Sequence, residues 1–192
     1  MRRVLVAALV LFTVLLAAPP ASAATVSIAD FSFSPTQVNV AQGGTVSWHN
    51  GGSATHTSTQ NSPLSLWNTG NLASGATSTA VTLRAAGSYP YHYAIHSFMT
   101  GTVKVPIKVS PATGTTSTTF TITLTSATQT GFIYDVQMKK GSGSFTLWKS
   151  GVTTRTVTFK GSAGMYSFRS RLHKTSNGAT SGYSPAKTIT IS

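Results

Sequence analysis

Residues 87–103 read Gly87-Ser88-Tyr89-Pro90-Tyr91-His92-Tyr93-Ala94-Ile95-His96-Ser97-Phe98-Met99-Thr100-Gly101-Thr102-Val103. The segment predicts two strands joined by a tight loop, with His96 and Met99 three residues apart on that loop, close enough to converge on one point. His92 and Tyr93 are neighbours on a strand and so face opposite ways, which makes His92 a surface residue. Working backwards, His56 follows the turn-rich run Gly51-Gly52-Ser53-Ala54-Thr55.

The flanking sequence repeats one pattern. Val26 and Ile28, Val38 and Val40, Thr45-Val46-Ser47-Trp48, Ala80-Val81-Thr82-Leu83 and Thr102-Val103-Lys104-Val105 alternate apolar with polar residues. A period of two puts one face inward and one in water, and helix-period patterns are absent. A second series begins near Ile107. It runs through Phe120, Ile122 and Leu124, then Phe132, Tyr134, Val136 and Met138, then Phe145–Trp148, Thr156–Phe159, Tyr166–Leu172 and Thr188–Ile191. Many short strands separated by turns predict an all-β chain of two tandem β-sandwiches. The expected divisions are residues 1–23, 24–107 and 108–192, with the boundary between Pro106 and Pro111 on a short linker that limits relative motion.

Composition narrows the chemistry. The chain has 192 residues, of which 40% are hydrophobic and 8% charged, enough apolar material for a core. Asp30 and Asp135 are its acidic residues and Cys is absent. Two distant carboxylates do not make an acid–base pair. Without Cys there is no disulfide, thiolate nucleophile or iron–sulfur cluster. No motif supports a Ser/His/Asp triad either, so an enzyme is not expected. The net charge is +12, and it is uneven. Residues 108–192 hold ten Lys/Arg against Asp135 alone, while residues 24–107 hold Arg84 and Lys104 against Asp30. That asymmetry also points to two modules with different surfaces.

The N-terminus has the three parts of an export leader: Met1-Arg2-Arg3, an apolar run from Val4 to Ala18, and Ala21-Ser22-Ala23 as a cleavage site. The run is short for a membrane span. The expectation is a secreted or cell-envelope protein with no membrane span once the leader is removed.

Two imidazoles and a thioether are borderline-to-soft donors that suit copper better than Mg²⁺ or Ca²⁺. At this point residues 25–105 resemble the cupredoxins, the plastocyanin- and amicyanin-like blue-copper proteins. The likeness is carried by Asp30-Phe31-Ser32-Phe33-Ser34-Pro35, Gly44-Thr45-Val46-Ser47-Trp48-His49-Asn50, His56-Thr57, Trp67-Asn68-Thr69-Gly70 and the 87–105 segment. It implies a Greek-key sandwich, electron transfer, a redox or copper-exchange protein partner, and metal ligands at His56, His96 and Met99. The family's Cys ligand falls on Tyr93.

That departure removes the thiolate on which a blue type 1 centre depends. A phenol is larger than a thiol and gives up its proton to a metal only reluctantly. Two outcomes stay open. Copper binds to His56, His96 and Met99 with Tyr93 pushed aside, or Tyr93 fills the site and the chain is a metal-free surface or adhesion protein. The three retained ligands favour the first, the bulk of the ring the second. Ile95 and Phe98 flank His96 as an apolar patch or as loop packing. His49 and His173 read as solvated positions, Trp48, Trp67 and Trp148 as core, and Met138 and Met165 as strand core.

Residues 108–192 resemble a fibronectin type III or immunoglobulin-like domain, on Tyr134–Met138, on Gly164–Arg171 with the tyrosine of a sandwich corner, and on Ser181-Gly182-Tyr183-Ser184-Pro185. Phe120 stands where an early-strand Trp is expected. Arg169 and Arg171 share a solvent face, with Lys139, Lys140, Lys149, Lys160 and Lys174 adding to the field. Contact with an anionic cell-wall polymer, lipid head groups or polysaccharide is one expectation and a merely basic soluble surface the other. Nucleic acid is not expected, since no binding motif is present.

Overall fold

The computed structural model describes residues 22–192. The expected leader therefore lies outside the described residues except for Ser22 and Ala23. Ala23 already pairs with Thr45 in a sheet.

The fold is all-β, as the alternation predicts. The first module contains β1 (Ala23–Ala29), β2 (Ser32–Ser34), β3 (Gln37–Asn39), β4 (Gly44–Asn50), β5 (Thr59–Gln60), β6 (Val81–Leu83), β7 (Gly87–His92) and β8 (Thr100–Val105). They form two sheets, ordered β2-β1-β4-β6 and β3-β8-β7-β5. β1 runs parallel to β4, with Val26 opposite Trp48, and β3 runs parallel to β8. Between the sheets Trp48 stacks on Trp67 at 5.5 Å and meets Tyr91 edge-on at 5.3 Å. Burying side chains of this size contributes about 1.5–3 kcal/mol each or more, which a Cys-free fold needs.

The second module contains β9 (Lys108–Ser110), β10 (Thr113–Gly114), β11 (Phe120–Thr123), β12 (Phe132–Lys140), β13 (Thr146–Val152), β14 (Thr156–Phe159), β15 (Gly164–Lys174) and β16 (Lys187–Ile191). Its sheets are ordered β10-β16-β15-β12-β13 and β14-β11-β9. The Tyr166 hydroxyl, at the start of β15, donates to the Ser162 carbonyl at 3.1 Å, so a phenol closes the corner between β14 and β15. Two expectations fail here. Met165 is 56% exposed rather than core: Tyr166 takes the inward phase of β15, so its neighbour must face out. His173 is half-buried with Nδ1 3.5 Å from Asp135 Oδ2 rather than solvated, because its strand lies beside the buried end of β12.

The two modules share a continuous core through Ala85, Ala86, Tyr89, Ile107, Leu124 and Tyr134. Backbone bonds cross the junction: Ala86 N–H to Leu124 O (2.8 Å), Ser126 N–H to Arg84 O (3.0 Å), and a reciprocal pair between Ser88 and Gly182 (2.9 Å each). The buried Gln42 amide donates to Pro106 O (3.2 Å) and Thr123 O (2.8 Å), fastening the linker itself. At the centre the Tyr89 hydroxyl donates to Ala85 O at 2.7 Å. Burial pushes that phenol well above its usual range, so it stays a neutral donor.

Candidate metal site

The site lies at one end of the first module, where three loops meet. The 51–55 loop is shaped by Asn50, buried at the end of β4. Its side-chain amide donates to Ala54 O (2.7 Å) and Leu72 O (2.8 Å), and its carbonyl accepts from Gly52 N–H (3.0 Å). Asp30, in the turn between β1 and β2, grips the same loop, accepting from the Ser53 hydroxyl (2.8 Å), Ser53 N–H (3.2 Å) and Ala54 N–H (3.3 Å). The Ser53 hydroxyl first, then these amides, hold the Asp30 carboxyl below its ordinary value. Gly52 sits against this carboxylate so closely that any Cβ would collide with it.

This loop delivers His56, which is 3% exposed. Its Nδ1 lies 3.0 Å from Ala54 O. A carbonyl only accepts, so Nδ1 carries the proton, and Nε2 faces Asp30 Oδ1 at 3.8 Å. The next residue, Thr57, accepts from Ala94 N–H through its hydroxyl (2.9 Å), tying the 51–58 loop to the one that follows β7.

That following loop carries the other expected residues. Tyr93 points inward and is buried. Its ring packs on His56 at 4.9 Å and on His96 at 5.3 Å, and its hydroxyl donates to Thr55 O at 2.8 Å. The loop closes by Tyr93 N–H to Met99 O (3.0 Å) and Met99 N–H to His96 O (2.9 Å). His96 is exposed, while Met99 is buried in the core.

Asp30, Phe31, Ser53, Ala54, His56, Tyr93 and His96 line one open cleft of about 290 Å³. The structure thus brings His56, Tyr93 and His96 to a single cleft, and Met99 is not among its lining residues. Around the mouth Phe31, Ile95 and Phe98 are 66%, 70% and 68% exposed. Phe31 takes a positive φ of 71°, a conformation bulky residues rarely adopt. Among the described residues no group of three or more His, Cys, Asp or Glu is gathered closely enough to hold an ion as the side chains stand. The other first-module histidines are engaged elsewhere, His49 with the Thr77 hydroxyl (2.9 Å) and His92 with Asn61 Oδ1 (2.8 Å).

A family model described as a cupredoxin-like domain matches residues 3–105, more than half of the chain. The chain belongs to the cupredoxin-like family. Among solved structures it is similar to a purple cupredoxin from Nitrosopumilus maritimus, with 23% identity over 43% of this chain and 98% of that one and a TM-score of 0.40. It is also similar to an amicyanin variant in its reduced Cu(I) form, with 26% identity over 47% of this chain and 86% of that one and a TM-score of 0.40. A copper-containing nitrite reductase from Thermus scotoductus shows 24% identity over 49% of this chain and 24% of that one, with a TM-score of 0.41. No curated protein matches.

The residues present do not fit a type 1 copper centre. There is no thiolate in the chain, and the Tyr93 ring lies between the two imidazoles with its hydroxyl already bonded to Thr55. The donors that line the cleft, imidazole nitrogen and carboxylate oxygen, are types that Cu(II) accepts. Sequence reasoning passed over Asp30 and Asn50. Both are short polar residues at strand ends, a sign of loop anchoring, but neither signals its partner.

Proposed function

We propose that this chain is an exported, non-blue copper-binding protein whose ion is held on the cleft side of Tyr93 by the imidazoles of His56 and His96, with the Asp30 carboxylate beside them. The observation that carries the reading is that His56 and His96 line one cleft on the same tyrosine ring. The exposed His96 ring, in this reading, turns from its packing on Tyr93 and Phe98 toward His56 Nε2. In this reading Met99 packs the loop from beneath, and the apolar rim of Phe31, Ile95 and Phe98 is where a copper-exchange partner docks. Binding rather than catalysis follows from the separation of the two carboxylates into different modules.

The second module is, in the same reading, a fibronectin type III or immunoglobulin-like sandwich. Its support is the strand order, with the first strand split between the sheets as β9 and β10, together with the Tyr166 corner.

Titrating the chain with Cu(II), followed by calorimetry and electron paramagnetic resonance, tests the site. The expected result is one equivalent bound with a nitrogen-rich, colourless-to-pale signature, abolished by His96→Ala and retained by Met99→Leu. A second reading, a metal-free pair of sandwiches, is favoured by the Tyr93 ring between the imidazoles and by the scattered donors. Absence of stoichiometric binding supports that reading and rejects the first.

A further inference from the structure

The outer face of the β12–β15 pair carries an alternating row of cations and rings. Lys139 lies over the Phe145 ring at 5.3 Å, Arg169 over Phe145 at 4.2 Å and over Tyr183 at 4.8 Å, and Arg171 over Tyr183 at 5.1 Å. The register places the cations at successive levels along the strands. Lys139 is opposite Ser167, Gln137 is opposite Arg169, and Asp135 is opposite Arg171. Alternate residues on a strand are about 6.6–6.8 Å apart, so this is a line of charge with that approximate step.

The row is preorganised. Arg169 Nε–H donates to Gln137 Oε1 at 2.8 Å, and Arg171 Nε–H to Asp135 Oδ2 at 3.0 Å. Each arginine spends its Nε–H and its planar face on the protein, and among the described residues the terminal amino groups of both have no hydrogen-bond partner. Those forks are the part of a guanidinium that grips an oxyanion in two-point fashion. Asp135 is the one acidic side chain of residues 108–192, and it is buried, so no surface Asp or Glu side chain of this module competes.

We propose that this row binds a linear, carboxylate-bearing polysaccharide lying along the line of cations. The charge is complementary and arranged as a line rather than a field, which matches a chain with repeating acid groups. Phe145 and Tyr183 each already carry two cations, so the row offers N–H groups outward rather than open ring faces, unlike the stacking platforms of single-stranded nucleic-acid binders. The rings lie half-buried against the sheet. The exposed apolar side chains of this module, Leu147 and Met165, give too little area to insert into lipid.

The test uses the full chain and polygalacturonate as probe, with affinity measured by calorimetry at two salt concentrations. The double variant Lys139→Gln/Arg169→Gln is compared with Lys108→Gln/Lys160→Gln, which removes the same charge from β9 and from the turn after β14. Arg171 is left in place because its loss strands buried Asp135. The expected result is salt-sensitive binding, weakened at least about tenfold by the row variant and less than about twofold by the control, with both variants keeping the parent's thermal unfolding midpoint. Equal weakening by both variants, or no binding, overturns the proposal. So does tighter binding to phosphatidylglycerol vesicles or to single-stranded DNA than to polygalacturonate. Destabilisation of the row variant is resolved by Arg169→Lys, which keeps charge and fold but lacks the fork, and full affinity in that variant also counts against the proposal.

Discussion

Tyr93→Cys replaces the ring that lies between the two imidazoles with the thiol the cupredoxin-like family places there. The ring is 4% exposed, packed on His56 and His96, and its hydroxyl is bonded to Thr55 O. Truncating a buried aromatic side chain costs about 3–5 kcal/mol, and losing a neutral hydrogen bond about 1 kcal/mol. Cys refills about one methylene's worth of the space, so the metal-free variant should be less stable by about 3–5 kcal/mol. The vacated volume adjoins the rings of His56 and His96, which pack on the tyrosine. Cu(II) should therefore occupy it and give the intense visible band of a copper–thiolate bond. Free copper at a hundred times its Kd restores about 2.7 kcal/mol, most of the loss. Urea unfolding with and without Cu(II), run beside visible spectra, checks both halves. A variant that loses less than about 1 kcal/mol without metal shows that the ring is not packed as described. A variant that stays colourless and unstabilised with Cu(II) shows that His56 and His96 do not share the position.

Three further outcomes follow from named contacts. Gly101→Ala places a Cβ into the ring of Tyr91, which is fully buried in the first module's core, and should lower the urea midpoint by the equivalent of about 1–3 kcal/mol, the usual range for overpacking. Arg171→Gln removes a charged hydrogen bond from buried Asp135, which keeps Gly151 N–H, and should cost about 1.5–3 kcal/mol near neutral pH; Asp135→Asn in the same background should recover part of that loss. Asp30 has its folded-state pKa lowered by Ser53 and the loop amides, so its stabilising contribution is present above its unfolded value of 3.8 and disappears as pH falls through the lower folded value. With a chelator present, Asp30→Asn should flatten the acid limb of the stability curve below that pH and leave its slope above pH 6 unchanged.

The strands were legible because alternation is a local signal. Val26, Ile28, Val46, Trp48, Phe120 and Ile122 are all buried on the faces their spacing selects. The spacing argument joined His96 to Met99, and Met99 does not line the cleft, whereas His56 and Tyr93 were placed beside His96 by the family resemblance rather than by any local signal. Met165 was misplaced because residue type was weighed above strand phase, and phase is decided by which neighbour, here Tyr166, finds the larger hole. The settings of His173 and Asp135 depend on strand register between distant segments, which no short window of sequence displays. The junction was hidden for the same reason. The short linker was expected to limit relative motion, but the bonds from Gln42 to Pro106 and Thr123 and the Ser88–Gly182 pair join residues too far apart in sequence to be foreseen.

The substitution at Tyr93 also explains how such a site keeps its shape without thiolate or metal. In a metal centre, loops from different strands are held together by their common bonds to the ion. Here the Tyr93 hydroxyl reaches Thr55 O and the neighbouring Ala94 N–H reaches the Thr57 hydroxyl, so two hydrogen bonds join the 51–58 loop to the 93–99 loop. Asp30 adds a third strand connection through Ser53 and Ala54. At about 1 kcal/mol for each neutral bond and more where a carboxylate accepts, this network is sufficient to fix the loops against solvent. On the proposed copper-binding reading, the cleft is already formed when an ion arrives, and what remains to be ordered is chiefly the exposed His96 side chain. Binding at such a site loses little conformational entropy, and its affinity is set by the donors that face the cleft rather than by the folding of the loops around it.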